Sequence, residues 1–294
     1  MKAELVLDAR NATGESPVWH AAQQALYWVD IPAGRLCRWR VATGALSTWQ
    51  APEMLACIAP VQGANTWIAG AESGIFRLDL GEGGQLGFES LAPVSHAMPG
   101  MRFNDGRCDR QGRFLAGTML MNMAAGASVG GVYSYQNVSN LTCLLDGFIT
   151  PNGMAFSPDG RTLYLSDSHP SVQQVWAFDY DIETGKPSNR RLFIDMNPLP
   201  GRPDGAAVDA DGCYWICGND AGLIHRFTPE GKLDCSLAVP VKKPAMCAFG
   251  GAGLDTLFVT SIRPEGIDLS DQPLAGGVFA LRPGVRGLPE PMFG

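Results

Sequence analysis

A short apolar or aromatic run recurs along this chain between turn-forming residues: Leu26-Tyr27-Trp28, Trp67-Ile68, Phe114-Leu115, Leu163-Tyr164-Leu165, Tyr214-Trp215-Ile216 and Leu257-Phe258-Val259. Runs of this length bounded by Gly, Pro and Asp predict buried strands. A second segment with period-two alternation follows several of them, as in Arg35-Leu36-Cys37-Arg38-Trp39-Arg40, Gly74-Ile75-Phe76-Arg77-Leu78, Gly131-Val132-Tyr133-Ser134-Tyr135 and Leu223-Ile224-His225-Arg226-Phe227. Such alternation predicts half-buried outer strands. The units open on a common turn chemistry at Asp109-Arg110-Gln111-Gly112, Ser157-Pro158-Asp159-Gly160 and Asp209-Ala210-Asp211-Gly212, where glycine supplies the positive φ of a tight hairpin. Six units in 294 residues give 49 residues each, close to the roughly 40 to 50 of a four-stranded propeller blade. No window carries the stripe of a long amphipathic helix, and 36 Gly and 21 Pro are dispersed throughout. The chain therefore reads as all-β, a six-bladed β-propeller of four-stranded antiparallel blades forming a single domain over 1–294. Two sandwiches are the alternative, disfavoured because no linker or composition shift divides the sequence. The run Glu4-Leu5-Val6-Leu7 is expected to pair with Gly277-Val278-Phe279-Ala280-Leu281 and close the ring.

Composition changes this picture only at its margins. With 46% apolar and 17% charged residues, the chain can fill a large core. A net charge of -7, with no basic cluster denser than Lys242-Lys243, argues against nucleic acid as a partner. The start of the chain, with Lys2, Glu4, Asp8 and Arg10, lacks the apolar core of a secretory signal, and no run approaches the length of a membrane span. The expectation is a cytoplasmic protein, not membrane-bound, monomeric or weakly self-associating. Its eight cysteines are scattered over the repeat and read as small buried hydrophobes. The sequons at Asn11, Asn137 and Asn140 then carry no message.

Four oxygen-rich motifs hold the candidate chemistry: Gly14-Glu15-Ser16-Pro17-Val18-Trp19, Arg102-Phe103-Asn104-Asp105-Gly106, Pro151-Asn152-Gly153 and Pro203-Asp204-Gly205. Each sets a polar side chain immediately before an apolar run that reads as a strand. They are far apart in sequence, so only a closed architecture brings them together. If it does, two carboxylates and two amides surround one point, the donor set that hard divalent cations prefer. Singly, each residue equally suits a turn or a solvated surface; four at equivalent blade positions favour the site. Two other patterns are decoys. Gly126-Ala127-Ser128-Val129-Gly130 fits a nucleophile elbow but lacks the helix that motif requires. Ser166-Asp167-Ser168-His169 looks catalytic, yet neighbours on one strand end point to alternate faces. Whether Asp167 and His169 reach the channel is left open.

These motifs, with Ala116-Gly117-Thr118-Met119, Met154-Ala155-Phe156-Ser157-Pro158-Asp159-Gly160 and Pro273-Leu274-Ala275-Gly276-Gly277, resemble the family of senescence marker protein (regucalcin), gluconolactonase and the sugar-acid lactonases over essentially the full length. The resemblance implies a propeller with one divalent cation (calcium, zinc, manganese, magnesium or ferrous iron) in its channel, held by Glu15, Asn152 and Asp204. Arg102 and Asn104 would face the substrate, Asn104 close to the metal, and Asp105 would support from behind or build a turn. The implied reaction is hydrolysis of a sugar lactone such as glucono-, galactono-, arabinono- or xylonolactone to the free acid. Asp204 is the expected proton acceptor, and a water activated by the cation itself is the competing route. Arg102 should leave the pocket mildly positive. The chain departs from the family after Met119: relatives place polar residues there, whereas Leu120-Met121-Asn122-Met123-Ala124-Ala125-Gly126 leaves only Asn122 to hydrogen-bond the substrate. The apolar run Leu120 to Met123 is expected to form a mobile lid that tunes which lactone is accepted. A metal-dependent esterase or phosphotriesterase-type hydrolase and a non-catalytic calcium-binding propeller are the alternatives.

Overall fold

The computed structural model describes residues 2–136 and 141–294; the sequons at Asn137 and Asn140 lie outside them. Every apolar run singled out above is the second strand of a blade. The first blade is built from Gly14–His20, Ala25–Asp30, Arg35–Arg40 and Ala45–Gln50, and four more blades repeat that order. Six sheets of four strands result, with every pairing between neighbours antiparallel. In the sixth, Glu4–Leu7 from the start of the chain pairs with Val278–Leu281 from near its end, Leu5 opposite Phe279, so the ring closes as expected. The first strand of each blade lies innermost, and each touches its counterpart in the next blade around a central channel. Among the described residues helix is limited to three single 3-10 turns, and none of these is long or apolar enough to cross a membrane.

The core lies between blades rather than beneath one sheet. Tyr27 stacks on Trp67 at 4.3 Å, Tyr164 on Tyr214 at 5.1 Å, and Trp215 meets Phe249 edge-on at 5.9 Å. Each wedge-shaped gap between splayed sheets is thus filled by large side chains from both. All eight cysteines are free, six of them buried as expected, while Cys143 is exposed and Cys235 partly so.

The motif residues do not precede the strands, as the sequence pattern suggests, but lie within them. Each of the six inner strands loses register with its neighbour near its start, including the steps Glu15/Val18, Phe103/Gly106, Asn152/Ala155 and Pro203/Ala206. A bulge sends a side chain off the alternating pattern, here toward the channel. Gly153 adopts φ +60° within its bulge, and Gly205 is glycine because the next inner strand passes so close. A Cβ there would fall 2.3 Å from Met246 Cβ and 2.8 Å from its Cα. Gly205→Ala should therefore destabilise the protein by about 1–3 kcal/mol, as overpacking against backbone does. A urea midpoint unchanged from wild type would show that the inner strands can spread.

Candidate functional site

Of the four bulges, those of the third, fourth and fifth blades bring their polar side chains into linked contact, Arg102 with Asn104 and Asn152 with Asp204. Blades one and four use the same local device: the Ser16 N–H donates to Glu15 Oε2 at 3.0 Å, and the Gly153 N–H to Asn152 Oδ1 at 3.0 Å. Each side chain folds back on the amide after it, and Ser16, like Gly153, adopts positive φ to allow this. Asn152 Nδ2 then donates to Asp204 Oδ1 at 2.6 Å, joining the fourth and fifth blades. The other oxygen, Asp204 Oδ2, accepts from Asn219 Nδ2. Asn219 is fully buried at the end of the strand Tyr214–Asn219 and belongs to no motif. Only the pairing of Arg202 with Asn219 across the hairpin brings it to the site.

Arg102 and Asn104 form the third wall. Arg102 Nη1 donates to the Phe103 carbonyl at 2.6 Å and to Asn104 Oδ1 at 2.9 Å, while Asn104 Nδ2 donates to the Pro151 carbonyl at 3.2 Å. Asp105 faces away, its Oδ2 accepting the Met154 N–H at 2.7 Å. Asn122 stands apart, exposed at the start of the turn Met123–Ala125. That turn is tied down at two points, Met121 N–H to the Gly100 carbonyl at 2.9 Å and His169 Nε2 to the Met123 carbonyl at 3.1 Å. Asp167 accepts from the amides of Ile149, Thr150 and His169 and so builds the entry to its blade. Ser128 lies in an exposed loop without a following helix, as expected of a decoy.

Electrostatics sets this end of the channel apart. Burial, then the charges of Asp204 and Asp105, hold the Glu15 carboxyl well above its usual range. Burial likewise pushes Asp204 up to about 6 against the pull of Arg202 and its two amide donors, and it raises Asp105. Desolvation brings the Arg102 guanidinium down to about 10, although Glu15 opposes it. Two acceptor atoms, Asp105 Oδ1 and Asn219 Oδ1, are buried without a partner. Buried oxygen acceptors without partners thus lie around three carboxyls that burial and mutual repulsion raise. Among the described residues no three His, Cys, Asp or Glu side chains are grouped to hold a metal. The oxygens of Glu15, Asn152 and Asp204, two carboxylates and one amide, still fit a hard cation, which would relieve the repulsion recorded in the raised pKa values.

The end of the channel away from these side chains is covered. There, residues 286–294 cross its floor, the Ala210 N–H bonding the Arg286 carbonyl and the Phe293 N–H the Pro60 carbonyl, with Glu290 3.8 Å from Arg107. The space left above this floor is about 10 Å³, room for a water molecule at most.

The raised carboxyls have a consequence for stability without metal. Below about pH 3.8 Asp204 is protonated whether folded or unfolded; between there and about 6 only the folded protein keeps the proton, so rising pH favours unfolding. In chelator, wild type should lose stability relative to Asp204→Asn across pH 4 to 6, at up to about 1.4 kcal/mol per pH unit. Parallel urea titrations measure the difference, and a wild type that gains on the variant over this window would show that burial is not the dominant influence on Asp204.

Comparison with known proteins accords with this arrangement. The chain is 40% identical over 287 residues to a 6-deoxy-6-sulfogluconolactonase of Pseudomonas putida, covering 96% of this chain and 95% of that one. It is 34% identical over 295 residues to an L-arabinolactonase of Azospirillum brasilense, covering 99% and 95%. Among solved structures, a calcium-binding regucalcin of Agrobacterium tumefaciens superposes with a TM-score of 0.91 at 27% identity, over 100% of this chain and 97% of that one. Residues 13–263 match the family described as the SMP-30/gluconolactonase/LRE-like region, and the chain belongs to that family.

Proposed function

We propose that this protein is a metal-dependent lactonase that opens a sugar-acid lactone to the free acid. The observation that carries this reading is the double hold on Asp204, whose two carboxylate oxygens are each met by a buried amide, Asn152 on one side and Asn219 on the other. The carboxylate is thereby fixed in direction; without a cation burial holds it at about 6, and a bound cation would bring it down and keep it ionised, ready to accept a proton. Glu15, Asn152 and Asp204 would hold the divalent cation, which when bound would polarise the lactone carbonyl and stabilise the negative charge developing on its oxygen. The names of the two lactonase relatives support the reaction class, and they span a sulfonated and an uncharged sugar.

The residues of this chain then divide the work. Asp204 accepts the proton of the attacking water and returns it to the departing ring oxygen. Asn219 keeps the carboxylate from rotating, and Asn104, anchored on the Pro151 carbonyl, presents Arg102 to the substrate's oxygens. The floor formed by residues 286–294 keeps bulk water from the far side.

Asp204→Asn keeps the shape of the side chain but removes its charge and its proton affinity, whereas Glu15→Gln removes a charge away from the proposed base. At saturating metal, Glu15→Gln should recover substantial turnover and Asp204→Asn should stay at least about two orders of magnitude below wild type. Near-normal kcat in Asp204→Asn would assign water activation to another group. A lactone panel followed by proton release, before and after chelation, separates a lactonase from a silent binding protein, and aryl esters and phosphotriesters added to it separate a lactonase from other hydrolases.

The lid reading is narrowed by the structure, because Leu120 is a buried strand residue opposite Met101. Exchanging Met121 to Met123 for polar residues should move KM and the ranking of lactones more than metal affinity. Lost metal binding with an unchanged ranking would remove the lid from specificity.

A further inference from the structure

A cleft of about 470 Å³ opens beside the channel mouth between the second and third blades, with Glu72, Ser73, His96, Met98 and Met101 among its walls. That volume falls within the roughly 300–1,000 Å³ typical of small-molecule sites. Resting on the lactonase reading of the adjoining channel, we propose that this cleft is the subsite for the far end of the lactone, and that Glu72 restricts it to uncharged, hydroxylated tails.

The position follows from the chain itself. Met101 opens the inner strand of the third blade and is followed directly by Arg102, so the cleft and the channel share that strand, one residue apart. Glu72 and Ser73 make the two-residue turn between Thr66–Ala71 and Gly74–Leu80, and their backbone is held firmly. The Ser73 N–H and Oγ both donate to Glu53 Oε1, at 2.9 and 3.0 Å, the Val94 N–H donates to the Ser73 carbonyl at 3.0 Å, and His96 Nε2 donates to the Glu72 carbonyl at 2.7 Å. The Glu72 carboxylate itself is partly exposed and has no ion pair among the described residues. A fixed backbone carrying an uncommitted carboxylate is a good acceptor for hydroxyl groups. Facing it, Met98, 39% exposed, offers a polarisable apolar surface for the C–H face of a carbohydrate. The lid bonds to this same segment through Met121 and Gly100, so lid and subsite are coupled.

The charge preference follows from what surrounds the carboxylate. The Glu72 charge reaches Arg102 and helps to keep it protonated, so Arg102 is offset from both sides, by Glu15 and by Glu72. Arg202 and Lys243 on the opposite rim are both engaged by Asp220. On this side of the mouth Glu72 has no cation paired to it among the described residues, so a sulfonate, phosphate or carboxylate tail in the cleft would meet its charge.

The test compares wild type, Glu72→Gln and Glu72→Lys on glucono-1,5-lactone and its 6-deoxy-6-sulfo analogue, with saturating divalent metal, proton release as readout and thermal melting to check folding. Wild type should favour the neutral lactone. The ratio of kcat/KM should shift toward the sulfonated lactone by about tenfold or more in Glu72→Gln and further in Glu72→Lys, through KM rather than kcat. A ratio unchanged in both variants, or a wild type that favours the sulfonated substrate, overturns the subsite. A wild type that turns over neither lactone, or any other lactone of the panel, overturns the lactonase reading, and the subsite falls with it.

Discussion

The innermost strand of every blade has an open edge, and six such edges converge where water is scarce and no further strand can be added. Backbone groups left there without partners would cost a few kcal/mol each, so the ring is stable only if side chains take the place of a missing strand. They do so from one blade to the next. Ser16 Oγ accepts the Ile58 N–H, Asp105 the Met154 N–H, Tyr214 donates to the Gly153 carbonyl, and Arg107 reaches the Ala206 carbonyl at 2.7 Å. Polar residues at the channel are thus a requirement of closure before they are a site.

The site is what remains after that requirement is met. Asp105 and Asp204 stand at comparable bulges, yet Asp105 is spent on a backbone amide while Asp204 is held only by the side-chain amides of Asn152 and Asn219. Amides from mobile side chains can yield to a ligand where a strand's N–H cannot. On the proposed reading, that difference would make Asp204 rather than Asp105 the carboxylate available for chemistry.

Much of this was legible in the sequence, for a physical reason. Strands of buried aromatics bounded by Asp-Gly turns are local features, as is the run Glu4 to Leu7 that completes the last sheet, so the blade count and the closure could be read directly. The motif residues could be found because a bulge near the channel needs a glycine behind it, as at Gly153 and Gly205. Asn219 and Glu72 could not. Neither sits in a motif; each enters through a hairpin or a turn whose partner lies in another strand, and that proximity exists only once the ring has closed. The bulges were missed for the same reason: the pattern placed the polar residues ahead of the strands, because a register shift is a property of a pair and not of one segment.

The closed floor gives the two ends of the channel unequal freedom. With residues 286–294 laid across one end, the proposed substrate would enter from the other, past the loops that join second to third strands and one blade to the next. Those loops are tied down largely through backbone groups, as at Ser73 and Gly100, so their side chains can change without opening a blade. The segment 120–126 and the turn at Glu72 are of this kind. On the proposed reading, reaction class would be tied to the inner strands, where a substitution endangers closure, and substrate choice to the rim, where it does not. Relatives that share the propeller but are named for different lactones fit that division, because the end of the lactone remote from its carbonyl is the part that meets the rim.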